Sequence, residues 1–129
     1  MLASMPCTQA QLESPTFQRW AQALGERPRH LHRKIWVWWC IAQALEERDM
    51  LQPGRRGLGF AVGQEPLTAL FAARACDILA TDLATEEAAK GGWIETGQHA
   101  AALGALNQRD LCPSERFARN VAVRAVDMR

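Results

Sequence analysis

One stretch limits the fold more than any other: Gly57-Leu58-Gly59-Phe60-Ala61-Val62-Gly63, followed at Pro66 by a helical pattern. It is short, apolar and glycine-rich, which predicts a buried strand running into a tight loop. Glycines let a backbone approach a ligand closely, and the following helix would bring exposed N–H groups and a positive dipole to the loop. In that helix Leu67, Leu70 and Phe71 lie on one side, with alanines allowing close packing. Ile78-Leu79-Ala80-Thr81 predicts a second buried strand ending at Asp82, and residues 121–126 predict a third ending at Asp127. Between them, 86–90 predicts a short helix, Gly91-Gly92 breaks it, and 98–106 predicts helix again. Strands alternating with helices argue for a parallel sheet with crossover helices.

Upstream the pattern is purely helical. Ser14-Pro15 starts a helix, serine as N-cap and proline at the first helical position, where its missing N–H costs nothing. Phe17, Trp20, Ala21 and Leu24 follow at helical spacing, and Gly25 ends the element. A longer helix is predicted from about residue 31 to 51, with Ile35, Trp38, Trp39, Ala42 and Leu45 on one apolar face. Pro53-Gly54 closes it as a turn. The chain therefore divides into an N-terminal helical cap region, 1–54, and a strand–helix region, 55–129.

Composition excludes some classes. With 15 basic and 14 acidic residues the net charge is +1, which argues against nucleic acid or an anionic membrane as partner. The longest apolar run, 35–42, is too short to span a bilayer, which takes about 20 residues. The first residues show neither a basic region nor an apolar one of a secretory signal. Cys7, Cys40, Cys76 and Cys112 are scattered with no metal-ligand spacing, so reduced thiols in a cytoplasmic protein are expected, with Cys40 and Cys76 in the core.

The glycine loop and the strand-ending acids form one constellation. Asp82 lies about 20 residues after the loop, where nucleoside-binding folds place a carboxylate for ribose hydroxyls. Asp127, ending the third strand, could reach the adenine end of the same ligand. After Gly57 and Gly59 the next glycine is Gly63, which misses the dinucleotide spacing G-x-G-x-x-G by one position. The plainer reading is that the acids cap helices and the glycines make turns.

Four segments carry a resemblance: GLGFAVGQEPL (57–67), LATDL (79–83), GWIETGQHA (92–100) and VDM (126–128). In this order they resemble the class I S-adenosylmethionine-dependent methyltransferases, specifically a bacterial group, over nearly the whole chain. The resemblance implies an α/β fold: a Rossmann-like three-layer sandwich, here partial, with N-terminal helices and about three parallel strands with crossover helices. It implies that Phe60, Ala61, Val62 and Gly63 cradle the methionine end of S-adenosylmethionine. Asp82 would hold the ribose hydroxyls, with Leu83 beside the adenine. Asp127 would accept from the adenine amino group, with Met128 against the ring. The family's first loop glycine is Ala61 here, and its third is Glu65, which would supply a carboxylate to the cofactor's ammonium group. An acid usual two residues before the first loop glycine is Gly59.

The expected function is the S-adenosylmethionine-binding portion of a methyltransferase, with methyl transfer to an unknown acceptor by the full-length protein. The family's acceptor site lies on later strands, so this chain alone is expected to be inactive. The alternatives are a nicotinamide- or nucleotide-binding Rossmann fragment and a noncatalytic interaction module. Substrate candidates are Lys34 and Trp36, within a run of basic residues beside tryptophans, and His99; a solvated basic edge over a tryptophan core is the simpler account of the first two. No metal site is expected. In the family's strand order the first strand would be left as an apolar edge, inviting self-association or a partner chain.

Overall fold

The computed structural model describes residues 3–27, 30–84, 89–92 and 103–127. They form two compact units, Met1–Leu51 and Gln52–Arg129.

The first unit is helical, and its helices are started by side chains. Thr8 and Gln11 form a reciprocal capping box that opens α1 (Gln9–Leu12). Ser14 Oγ accepts from Phe17 N–H at 3.2 Å and opens α2 (Pro15–Ala23), as expected. His32 caps α3 (Arg33–Glu46) by accepting from Lys34 N–H at 3.1 Å. Phe17, Trp20 and Leu24 of the α2 segment are buried with Ile35, Trp38, Trp39 and Ala42 of α3. Phe17 and Trp39 meet edge to face at 5.9 Å, and Trp20 Nε1 donates to Gln43 Oε1 at 2.8 Å.

The ends of α2 and α3 share one device. Gly25, at φ +73°, follows α2; its N–H bonds Gln22 O, and Glu26 N–H bonds Ala21 O. Beyond α3 the same pair of bonds is made by Asp49 and Met50, with Asp49 at φ +54°. This stops α3 several residues short of the expected end near 51.

The second unit contains β1 (Arg56–Gly59), α4 (Leu67–Ala73), β2 (Asp77–Asp82), a 3-10 turn at Leu103–Asn107, α5 (Ser114–Asn120) and β3 (Val121–Ala125). The three strands form one parallel sheet in the order β1-β2-β3. This is a mixed helix–strand fold of the α/β kind. Ile78, Ala80 and Val121 are buried against Ala69, Ala72, Leu106 and Phe117, which places α4, the 3-10 turn and α5 on one face of the sheet. The register aligns Leu58, Leu79 and Ala122 on the other face. There Leu58 and Ala122 are exposed and Leu79 is half-buried.

Three expectations change. β1 is not buried: Leu58 is 55% exposed because it lies on the face away from the helices, and among the described residues β1 pairs only with β2. The buried face of α4 is Thr68, Ala69, Leu70 and Ala72, while Leu67 and Phe71 are half-buried. The alanines let the helix lie close on the sheet, so they, rather than the larger side chains, mark the contact face. α5 was not expected; Glu115 in its first turn and Arg119 in its last complement the helix dipole. Arg116 Nη1 ties it to α4 by donating to Ala73 O at 3.0 Å. Most of the helix expected at 98–106 and most of the short one at 86–90 lie outside the described residues.

α4 ends as α2 does: Ala75 N–H bonds Ala72 O and Cys76 N–H bonds Phe71 O, with Ala75 at φ +61°. A left-handed alanine carries a steric penalty of about 1–2 kcal/mol that glycine lacks, offset partly by glycine's freer unfolded chain. Ala75→Gly is therefore expected to raise stability by about 1 kcal/mol in urea denaturation.

Candidate functional site

β1 runs into the loop 60–65 at the C-terminal end of the sheet, and β2 delivers its acid beside that loop. Asp82 is the last residue of β2 and is 8% exposed. Its Oδ2 accepts from Gly63 N–H at 2.9 Å, and its Oδ1 accepts from Leu83 N–H at 2.9 Å. Val62 N–H bonds Thr81 O at 3.1 Å, so the loop continues the ladder to β2 after turning. Thr81, also buried, donates from Oγ1 to Gly59 O at 2.7 Å. The acid and its neighbour thus hold both ends of the turn.

The turn itself is left-handed at two residues, Ala61 at φ +47° and Gly63 at φ +54°. The conformation that favours glycine is present at the first loop position although the residue is alanine. Ala61→Gly is expected to stabilise the protein by about 1 kcal/mol, read as a higher urea midpoint. Gly59 is needed for another reason. A Cβ there would come within 2.6 Å of Val62 Cγ1, so the glycine makes room for the chain folding back on itself.

Phe60 is 59% exposed and Ala61 is exposed, while Val62 and Glu65 are half-buried and Gly63 is buried. Leu83 is half-buried and Asp127 is exposed just past β3. All these residues belong to the ends of β1, β2 and β3, the edge at which parallel sheets present ligand crevices. Val126 N–H bonds Asp82 O at 2.7 Å, which brings the approach to Asp127 alongside Asp82. Met128 and His99 lie outside the described residues. Lys34 and Trp36 belong to the first unit. Lys34 is exposed, with Nζ 5.9 Å from the Trp38 ring centre, and Trp36 Nε1 donates to Gln11 Oε1 at 3.0 Å. Both have structural partners there.

The expected opening of α4 at Pro66 holds to within a residue. Its N-cap, Pro66, makes no side-chain cap bond and the helix is seven residues long. A small recess beside it, bordered by Gln64, Ala69, Arg109 and Leu111, has room for little more than a water molecule.

Sequence reasoning missed two structural side chains, Thr81 beside the site and Asn107 away from it. Asn107 clasps the loop before α5, accepting from Cys112 N–H at 3.3 Å and donating to Cys112 O at 2.8 Å. A buried threonine directly before a strand-ending acid was the available signal for the first; the second had none. Cys76 and Cys112 are buried and Cys40 is half-buried. Burial raises all three thiols above their usual range, Cys7 adding to the effect on Cys40, which works against a thiolate nucleophile. Among the described residues no three His, Cys, Asp or Glu side chains gather as a metal site, and no helix is long and apolar enough to cross a membrane.

The chain matches no protein-family model, no curated protein and no solved structure.

Proposed function

We propose that this chain is the S-adenosylmethionine-binding portion of a class I methyltransferase, a partial Rossmann-like three-layer sandwich working in the cytoplasm. One observation carries the reading. The acid ending β2 lies against the loop that follows β1, Asp82 Oδ2 2.9 Å from Gly63 N, and that loop takes the left-handed turn of a glycine loop even at Ala61. The donor set suits the group. Asp82 and Asp127 offer acceptors for ribose hydroxyls and an adenine amino group, and Glu65 offers a carboxylate for an ammonium. Phe60 and Ala61 present an exposed rim for the methionine end, with Leu83 as an apolar side of the adenine position, a role the resemblance also gives Met128. Each carboxylate oxygen accepts more than one hydrogen bond, so holding the loop and receiving a ribose hydroxyl are compatible roles for Asp82.

When bound, the cofactor supplies an already activated methyl group. The work of these residues is to bind and orient: the acids fix the nucleoside and the loop fixes the amino-acid end, which sets the direction of the methyl group. The reading names no acceptor, keeps Lys34, Trp36 and His99 as substrate candidates, and expects no methyl transfer by this chain alone.

A second reading has its own support. Both Asp82 oxygens already accept backbone N–H groups, which is what a noncatalytic scaffold would use the acid for. Calorimetric titration separates the two. S-adenosylhomocysteine is expected to bind, and Asp127→Ala, at an exposed position, is expected to weaken it about tenfold while changing stability by less than about 0.5 kcal/mol. Tighter binding of a nicotinamide dinucleotide would favour the oxidoreductase alternative. No binding of either would leave the scaffold.

A further inference from the structure

Among the described residues β1 pairs only with β2, and the residues on its other edge complement themselves. Arg56 is aligned with Asp77, and Asp77 N–H bonds Arg55 O at 2.8 Å. In a parallel ladder this turns the backbone groups of 55, 57 and 59 toward β2 and those of Arg56 and Leu58 toward the free edge. Leu58 and Phe60 are the most exposed large apolar side chains among the described residues, at 55% and 59%. A bare backbone edge next to exposed apolar side chains is the arrangement that pairs with another strand.

We propose that this edge pairs with the same edge of a second copy, antiparallel across a twofold axis at Leu58, to make one continuous six-stranded sheet. About a twofold axis at Leu58 residue i faces j and j faces i, so Gly57 meets Gly59 and Arg56 meets Phe60 of the other copy, which makes the edge complementary to itself. Leu58 meets its own copy, and the edge-facing N–H and C=O groups of one strand meet those of the other in register. Each Arg56 falls opposite Phe60 of the other copy, a cation-over-ring pairing, and not opposite another arginine. Gly57 and Gly59 cross each other on the helix side, where neither adds bulk. With a net charge of +1 the copies have little overall repulsion to overcome. The contact is one of this chain, not of a longer protein whose later strand would take that edge, and it shares Phe60 with the proposed loop site while needing no ligand there.

Analytical ultracentrifugation of the full chain over a concentration series tests it. The expected mass rises from 14.4 kDa toward twice that value. Leu58→Lys, which sets two ammonium groups face to face on the axis, is expected to keep the chain monomeric. Val123→Lys, on the opposite edge strand, is expected to leave the dimer intact. The register is read in a Cys7→Ser background, which removes the exposed thiol. There Leu58→Cys is expected to give a disulfide-linked dimer under mild oxidation, and Leu79→Cys is not. A monomer at every concentration overturns the proposal, as does a dimer that survives Leu58→Lys or is lost with Val123→Lys. A Leu58→Lys-sensitive dimer that Leu58→Cys does not link overturns the twofold register.

Discussion

Replacing Asp82 by alanine should lower stability by about 3 kcal/mol, because it strips two backbone donors of one buried acceptor. Hydrogen bonds to a charged group contribute about 1.5–3 kcal/mol each, and a buried N–H left alone adds a further penalty. The two donors differ. Gly63 is buried, so water replaces its partner poorly, whereas Leu83 is half-buried and recovers part of its loss from solvent. The larger share should therefore sit in the glycine loop, and amide hydrogen exchange at Gly63 should accelerate more than at Leu83. Asp82→Asn keeps one oxygen and should lose about half as much. Urea denaturation gives the total. A loss below about 0.5 kcal/mol for the alanine variant would mean that the loop holds its left-handed turn without the acid.

Trp20→Ala should cost the first unit about 4 kcal/mol. Trp20 has no exposed surface, and its Nε1 donates to Gln43 Oε1 at 2.8 Å, so the change removes packing and a hydrogen bond together. Truncation of a buried aromatic typically costs about 3–5 kcal/mol, and a domain has only about 5–15 kcal/mol in all. Trp36 provides the comparison. It is half-buried and bonds Gln11 from a more open position, so Trp36→Ala should cost about 1–2 kcal/mol. Equal losses, followed by circular dichroism in urea, would contradict the packing of α2 on α3.

The parts of this fold that were legible in the chain are those with a local chemical cause. Ser14-Pro15 opens α2 and Gly25 closes it because capping and left-handed geometry have characteristic residues there. The ends of α3 and α4 use the same geometry with Asp49 and Ala75, residues that do not advertise it, so α3 stops short of the end its pattern predicts. The strand positions of Ile78 and Ala80, and the acid at the end of β2, follow from a short apolar run with a charged stop. The exposure of β1 does not follow from such a run. A strand at a sheet edge and one at its centre share the same local pattern, and only the pairing order β1-β2-β3 separates them. For the same reason the bond from Gly63 to Asp82 lay beyond sequence reasoning. Spacing suggested that loop and acid belong to one site, but it could not show that the acid holds the loop.

The proposed site receives one nucleoside-bearing ligand at the ends of the three strands. The most direct measurement is the backbone amide spectrum during titration with S-adenosylhomocysteine. Shifts are expected to concentrate at Phe60, Ala61, Gly63, Leu83 and Asp127, with Gly63 and Leu83 responding because their common acceptor, Asp82, takes on the ribose hydroxyls. Shifts scattered elsewhere, or a spectrum unchanged at saturating ligand, would contradict it.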